Sequence, residues 1–400
     1  MNTRHKHYFR ILIISFCATL LPVLVLNMIL LNDTLGNNQK VLLASQWQQR
    51  TQGITYAPTL SDTHLFKTLR LLDRLSEINT VVFGSSTALG IAQQAFPDAL
   101  HLYNYAQTGH ALSSVIGEAE YIQRHSANVK WLVIPLDWSL GFIYQQGTPP
   151  DADLSAATAM QATQVQIKSV PLLERIRDAL SYPRISSLFE ILNNIRRADD
   201  KTAAFSGYFL QDASNDYRCA DGTPGKDFDT IYRGTCTGFR HDGSATFANS
   251  SRVGNPRSLI LASTSSHSQY RQNLLSADGS PNPVFLQRLA KLGEQAKQNG
   301  GGLILFLPPL LPGMEVEFLR HPQLMPVLQK TKQILADWAE ENQLTLLDAG
   351  QSERFDCLPD EFLDQHHTVS SCYNKIFQSF WRDALRPDGT ISLPSAGLKP

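Results

Sequence analysis

The hydrophobic pattern along the chain divides it into two kinds of material. Residues 11–31, ILIISFCATLLPVLVLNMILL, form an apolar run without a charged side chain. As a helix it is long enough to cross about 30 Å of hydrocarbon. From residue 78 onward, short apolar, β-branched runs alternate with segments of helical period. NTVVFG (79–84), KWLVIPL (130–136), GLILFLP (302–308) and LTLLDA (344–349) read as strands. Between and after them, 111–125, 284–298, 324–343 and 373–385 carry apolar residues at helical spacing. Strands without a polar face, alternating with helices, predict an α/β fold with a three-layer parallel sheet.

This rhythm sets the expected organisation: a tail over 1–10, a membrane anchor over 11–31, a stalk over 32–77, an α/β domain from 78–140 and 281–390, and an insertion over 141–280. The stalk ends in an amphipathic helix near His64–Leu75. Within the insertion, PLLERIRDALSYPRISSLFEILNNIRR reads as two helices broken at Tyr182-Pro183, because proline disfavours helix for the residue before it. Glycine- and aspartate-rich turns follow, and FRHDGSATF (239–247) carries an Asp-Gly hairpin signal, so His241 and Asp242 are assigned no chemistry. No internal repeat is visible.

Charge and cysteine usage refine the picture. The 35 basic and 36 acidic side chains leave a net charge of -1 with no long run of either sign, so the electrostatic footprint of a nucleic-acid binder is missing. Arg4, Lys6 and Arg10 precede the apolar run, which by the positive-inside rule keeps the N-terminus cytoplasmic and places the bulk of the chain in the periplasm or another extracytoplasmic space. Pro22 and Asn27 are tolerable in such a helix. A cleaved signal peptide is the competing reading, but the run exceeds a usual h-region and lacks a convincing small-residue cleavage site. Apart from Cys17, the cysteines fall into two local pairs, Cys219 with Cys236 and Cys357 with Cys372. Disulfides in an oxidising compartment fit that usage, although four cysteines admit three connectivities. Neither pair has the close spacing of a structural zinc site.

The candidate chemistry starts at VVFGSSTALG (81–90). A strand that ends in a glycine turn and opens a helix puts Ser85 and Ser86 at the carboxyl edge of the sheet, where α/β proteins hold ligands. Serine is also a favoured helix N-cap, and such a turn can cradle a phosphate. A second block, EFLDQHHTVSSC (361–372), contains Asp364 and His367. A serine hydroxyl needs a base to take its proton, and the base needs a carboxylate to fix its tautomer. His366 competes with His367, and the spacing from Asp364 favours His367. Cys357 and Cys372 bracket this block, so their disulfide would close a loop containing both groups. LFLPPLLPG (305–313) leaves a strand through Pro308-Pro309 at the same edge, where it either lines the site or is only a rigid exit. No cofactor is expected, and three clustered side chains, Asp364, His366 and His367, are too few to predict a metal site.

These blocks resemble those of the SGNH, or GDSL-like, hydrolase superfamily, in the Gly-Ser-Ser branch that includes membrane-anchored proteins of polysaccharide acetylation and D-alanyl transfer. The resemblance covers roughly 78–140 and 284–385. It implies that Ser86 is the nucleophile and that Asp364 and His367 complete the triad. YNYAQTGHAL (103–112) resembles the second block, with Asn104 at its start and the Gly109 N–H joining that of Ser86 in the oxyanion hole. The implied activity is serine-dependent O-acyl, foremost O-acetyl, transfer or ester hydrolysis on an exopolysaccharide or envelope polymer, with a multi-span acyl-transfer membrane protein as partner. The third block departs from the family: where an asparagine ordinarily completes the oxyanion hole, this chain reads IPLDW, with Asp137 and Trp138. An aspartate repels an oxyanion, and loss of one donor costs on the order of 100- to 1000-fold in turnover. Ser85, Asn104, Asp137, Trp138 and His366 are therefore candidate substrate contacts. A catalytically degenerate glycan-binding or scaffold protein is the alternative reading.

Overall fold

The computed structural model describes residues 3–30, 39–56, 63–137, 173, 176–177, 180–197, 238–246, 253–276, 279–386 and 390–393. Trp138, Cys219 and Cys236 lie outside them. The chain divides into two compact units, Met1–Phe66 with Val165–Gly238, and Lys67–Gln164 with Phe239–Pro400.

In the first unit, one helix spans Thr3–Leu30. Its stretch His7–Asn27, with a mean hydropathy of 2.4, is long and apolar enough to cross a membrane, so this helix could anchor the chain. The expected stalk contains a helix that its polar composition had concealed, Gln39–Thr51. The amphipathic helix that follows spans Thr63–Arg74 and from Lys67 onward belongs to the second unit. Tyr182 and Pro183 open a helix that runs to Arg197, which places the proline in a first turn where its missing N–H costs nothing.

The second unit is built on five parallel strands: β1 (Thr80–Val82), β2 (Leu102–Asn104), β3 (Trp131–Pro135), β4 (Gly302–Leu307) and β5 (Thr345–Asp348). Their spatial order is β2-β1-β3-β4-β5, and the register pairs Val82 with both Asn104 and Val133, Pro135 with Phe306, and Leu307 with Asp348. β2 has only three residues, too few to show a period, and was not among the expected strands. The interior strand β4 is buried at every position, the reason its sequence shows no polar alternation.

Helices cover both faces of the sheet. On one face, Gly293 of the Pro283–Gln298 helix packs so close to Leu344 that an added Cβ would lie 2.3 Å from its Cδ2. The Leu112–His125 helix is tied to the same helix by a bidentate Arg288–Glu120 pair with both contacts at 3.0 Å. On the other face, Phe306 meets Tyr373 and Phe377 of the Ser370–Ala384 helix edge-to-face at 6.4 and 5.8 Å. The strand order reverses at β1, so the crevice at the carboxyl ends of β1 and β3 is where such a sheet accommodates a ligand.

Candidate active site

Gly84 makes the turn after β1 possible. It takes φ +140°, and a Cβ there would stand 2.5 Å from Cγ of Pro135 on β3, so both the backbone conformation and the space call for glycine. The chain then enters a single 3-10 turn, Ser86–Ala88, rather than the expected longer helix. Ser85 caps that turn. Its buried Oγ accepts from Thr87 N, lies 2.9 Å from Thr87 Oγ1 and donates to Asp137 Oδ2 at 3.2 Å. Ser86, the next residue, is only partly buried.

Ser86 Oγ lies 2.7 Å from Nε2 of His367, and Nδ1 of His367 lies 2.6 Å from Oδ2 of Asp364. The other carboxylate oxygen, Oδ1, accepts the backbone N–H groups of His366 and His367, both at 2.9 Å. Burial opposes ionisation of Asp364, but the bond from His367, the His366 imidazole nearby and the backbone donor outweigh it and hold the carboxyl far below the usual range. Asp364 is thus an anion that orients the imidazole through one oxygen and shapes its loop through the other. Geometry separates the two histidines. The His366 ring lies 4.1 Å from that of His367, tilted by 40°, and 5.3 Å from the Tyr270 ring. Burial, followed by the neighbouring His367, pushes its pKa down. Asp364, His366 and His367 could also offer ligands to a metal ion, their donor atoms lying within 4.8 Å of one another. Both ring nitrogens of His367 are already hydrogen-bonded, to Ser86 Oγ and Asp364 Oδ2, so an ion taking His367 as a ligand would break one of those bonds.

A loop bearing a base needs support to hold such distances. Leu363 N donates to His367 O, and Val369 N and Thr368 Oγ1 both donate to Glu361 O. Leu311, just past Pro308-Pro309, donates its N–H to Gln365 O at 2.9 Å, which ties the proline exit to the base loop. Across the gap to the serine turn, Tyr373 hydroxyl donates to Thr87 O. Gly90 comes so near that an added Cβ would sit 2.6 Å from Thr368 O. The Cys357–Cys372 disulfide, fifteen residues apart in sequence, closes the whole segment. The chain-entropy model assigns roughly 3 kcal/mol to a loop of that size. Replacing both cysteines with alanine is therefore expected to lower unfolding stability by about that amount in a urea titration.

The candidate substrate contacts fare differently. Asn104 is fully buried: its amide donates to Ala88 O and Ile91 O at 2.8 Å each, and its carbonyl accepts Ala106 N at 3.0 Å. It scaffolds the segment after Ser86 and presents nothing to a ligand. Ser85 and Asp137 are likewise buried and hydrogen-bonded to each other. Gly109 is exposed and adopts φ +70° with nothing near a would-be Cβ, so its constraint is conformational.

Two residues near the site carried no sequence signal. Gln107, only 4 % exposed, donates its N–H to Gly84 O at 2.9 Å, while its Nε2 is buried without a partner among the described residues. Lys67 is fully buried, its Nζ 2.5 Å from Ala106 O. A lysine on a helix that reads as amphipathic looks like solvated surface, which is why it escaped notice. The arrangement as a whole can move a proton from a hydroxyl to an imidazole held by a carboxylate. No family model matches the chain, and no curated protein is significantly similar to it.

Proposed function

We propose that this chain is a membrane-anchored, extracytoplasmic serine acyltransferase or esterase of the SGNH/GDSL-like type, acting on O-acyl, foremost O-acetyl, groups of an exopolysaccharide or envelope polymer. The observation that carries this reading is the continuous relay Ser86 Oγ to His367 Nε2 and His367 Nδ1 to Asp364 Oδ2, at 2.7 and 2.6 Å. The strand order and the position of Ser86 at the carboxyl edge support the same family. The apolar N-terminal helix and the disulfide support an anchored, extracytoplasmic location. A multi-span membrane protein is the proposed source of the acyl group.

In the reaction, Ser86 Oγ attacks the acyl carbonyl as its proton passes to His367 Nε2, and the N–H groups of Ser86 and Gly109 receive the oxyanion charge. Collapse breaks the bond to the donor's leaving group, which takes the proton from His367. An acceptor hydroxyl then gives its proton to the same nitrogen and attacks the acyl-serine. The new ester departs, and the proton returns to Ser86. Water in place of the sugar hydroxyl makes the same sequence a hydrolysis.

The test uses the full chain in detergent micelles, offered 4-nitrophenyl acetate and, separately, a fluorophosphonate. Acetate release together with a single phosphonyl adduct on the Ser86 peptide is the expected result. Absence of both overturns the reading. Asp137, standing where the family's oxyanion asparagine belongs, favours a second reading, a glycan-binding module without turnover. Glycan binding by a catalytically silent wild-type chain would support it.

A further inference from the structure

A lysine with no access to water requires a reason, since burial of an ammonium is strongly unfavourable unless it is used. Lys67 is 0 % exposed. Its Nζ donates to Ala106 O at 2.5 Å and sits 4.9 Å from the centre of the Phe239 ring. The peptide it grips is the one that joins Ala106 to Gln107. The N–H of that same peptide donates to Gly84 O at 2.9 Å, two residues before Ser86. On its other side, Ala106 N donates to Asn104 Oδ1, whose amide holds the chain at Ala88 and Ile91. One ammonium thus fastens the start of the 106–109 segment and polarises the very peptide that is bonded to the nucleophile turn.

We propose that Lys67 is a positioning residue: its ammonium holds the segment leading to Gly109 against the Gly84–Ser86 turn, so that the two N–H groups assigned to the oxyanion stay in register. This inference rests on the acyl-transfer reading for its catalytic consequence, but not for its structural one.

Asp242 supplies an opposite charge that only partly offsets the burial of the ammonium. Asp242 acts on it electrostatically from the hairpin that also carries His241, Tyr103 of β2 donates its hydroxyl to Lys67 O and Tyr105 follows that strand, and Arg70, Asp73 and Arg74 lie on its own helix. Arg70 is paired with Asp73 at 3.3 Å, and burial keeps both tyrosines neutral and pushes His241 down to about 4. Asp242 is therefore the compensating anion. Burial outweighs Asp242 and lowers the Lys67 pKa from 10.5 to about 7. In the unfolded chain the lysine keeps its proton to about 10.4. Between those values the unfolded state binds the extra proton, so this residue makes stability rise with pH from about 7 to about 10, and its cost is fully present below 7.

The experiment compares the wild-type chain with Lys67→Met, which keeps the stem and removes the charge. Amide exchange at Gln107 is expected to quicken at least about 10-fold in the variant. The wild-type rise in melting temperature from pH 7 to 9 is expected to flatten. On 4-nitrophenyl acetate, kcat is expected to fall about 10- to 100-fold with KM nearly unchanged, the range produced by a small misplacement of a reacting geometry. Unchanged exchange at Gln107, or faster exchange spread evenly over the sheet, overturns the proposal, as does undiminished kcat in an active protein. If the wild type is itself inactive, the acyl-transfer reading fails while the exchange measurement still decides the role of Lys67.

Discussion

Asp364→Asn is expected to reduce turnover on the order of 10⁴-fold while leaving the fold intact. The reason lies in which oxygen does what. Oδ1 accepts two backbone N–H groups, those of His366 and His367, so the asparagine carbonyl is forced into that place and the amide cannot flip. Its NH2 then faces His367 Nδ1, 2.6 Å away in the native chain. A donor there requires a bare Nδ1, which moves the ring proton to Nε2, directly opposite Ser86. The serine can no longer give its proton away, the same wrong-tautomer failure that defines the carboxylate's role in triads. Steady-state kinetics on 4-nitrophenyl acetate reads the loss, and near-wild-type kcat would exclude Asp364 from the relay. The variant carries a second signature. The native carboxyl is held far below its ordinary range, so its stabilisation is present above about pH 4 and lost as pH falls toward the folded value. That part of the acid dependence should vanish with the charge.

Ser86→Ala is expected to abolish both acetate release and phosphonyl labelling, a loss on the order of 10⁴-fold or more in kcat, because nothing replaces the nucleophile. Its neighbour supplies the internal contrast. Ser85 Oγ is buried, caps the 3-10 turn and bonds to Thr87 and Asp137. Ser85→Ala should therefore cost about 1 kcal/mol of stability and keep its phosphonyl adduct at Ser86. Labelling that survived Ser86→Ala would move the nucleophile elsewhere. Intact-mass spectrometry of the two variants after fluorophosphonate treatment distinguishes them in one experiment.

Parts of this arrangement were legible in the residue pattern for identifiable reasons. β1, β3, β4 and β5 are apolar runs bounded by glycine, proline or polar residues, and their alternation with helical segments announces a parallel sheet. Ser86, Asp364 and His367 stood out because each belongs to a short block whose residue types suit proton relay. β2 was missed because three residues carry no period. The carboxamide of Asn104 was misplaced because spacing does not reveal that three carbonyls of a neighbouring turn converge on it. Lys67 was invisible for a different reason: what buries it is the hairpin near residue 240, more than 150 positions away in sequence, and no local pattern encodes that contact. Assignments at Trp138, Cys219 and Cys236 fall outside the described residues.

The serine and its imidazole are separated by 281 residues. Synthesis adds about 5–20 residues per second, so the hydroxyl emerges on the order of half a minute before the ring that activates it. On the proposed acyl-transfer reading, Ser86 has no base within reach until the segment carrying His367 has folded against it. On that reading a chain truncated before residue 367 would carry the serine without its base, and the proposed reactivity would depend on the segment closed by Cys357–Cys372 being in place.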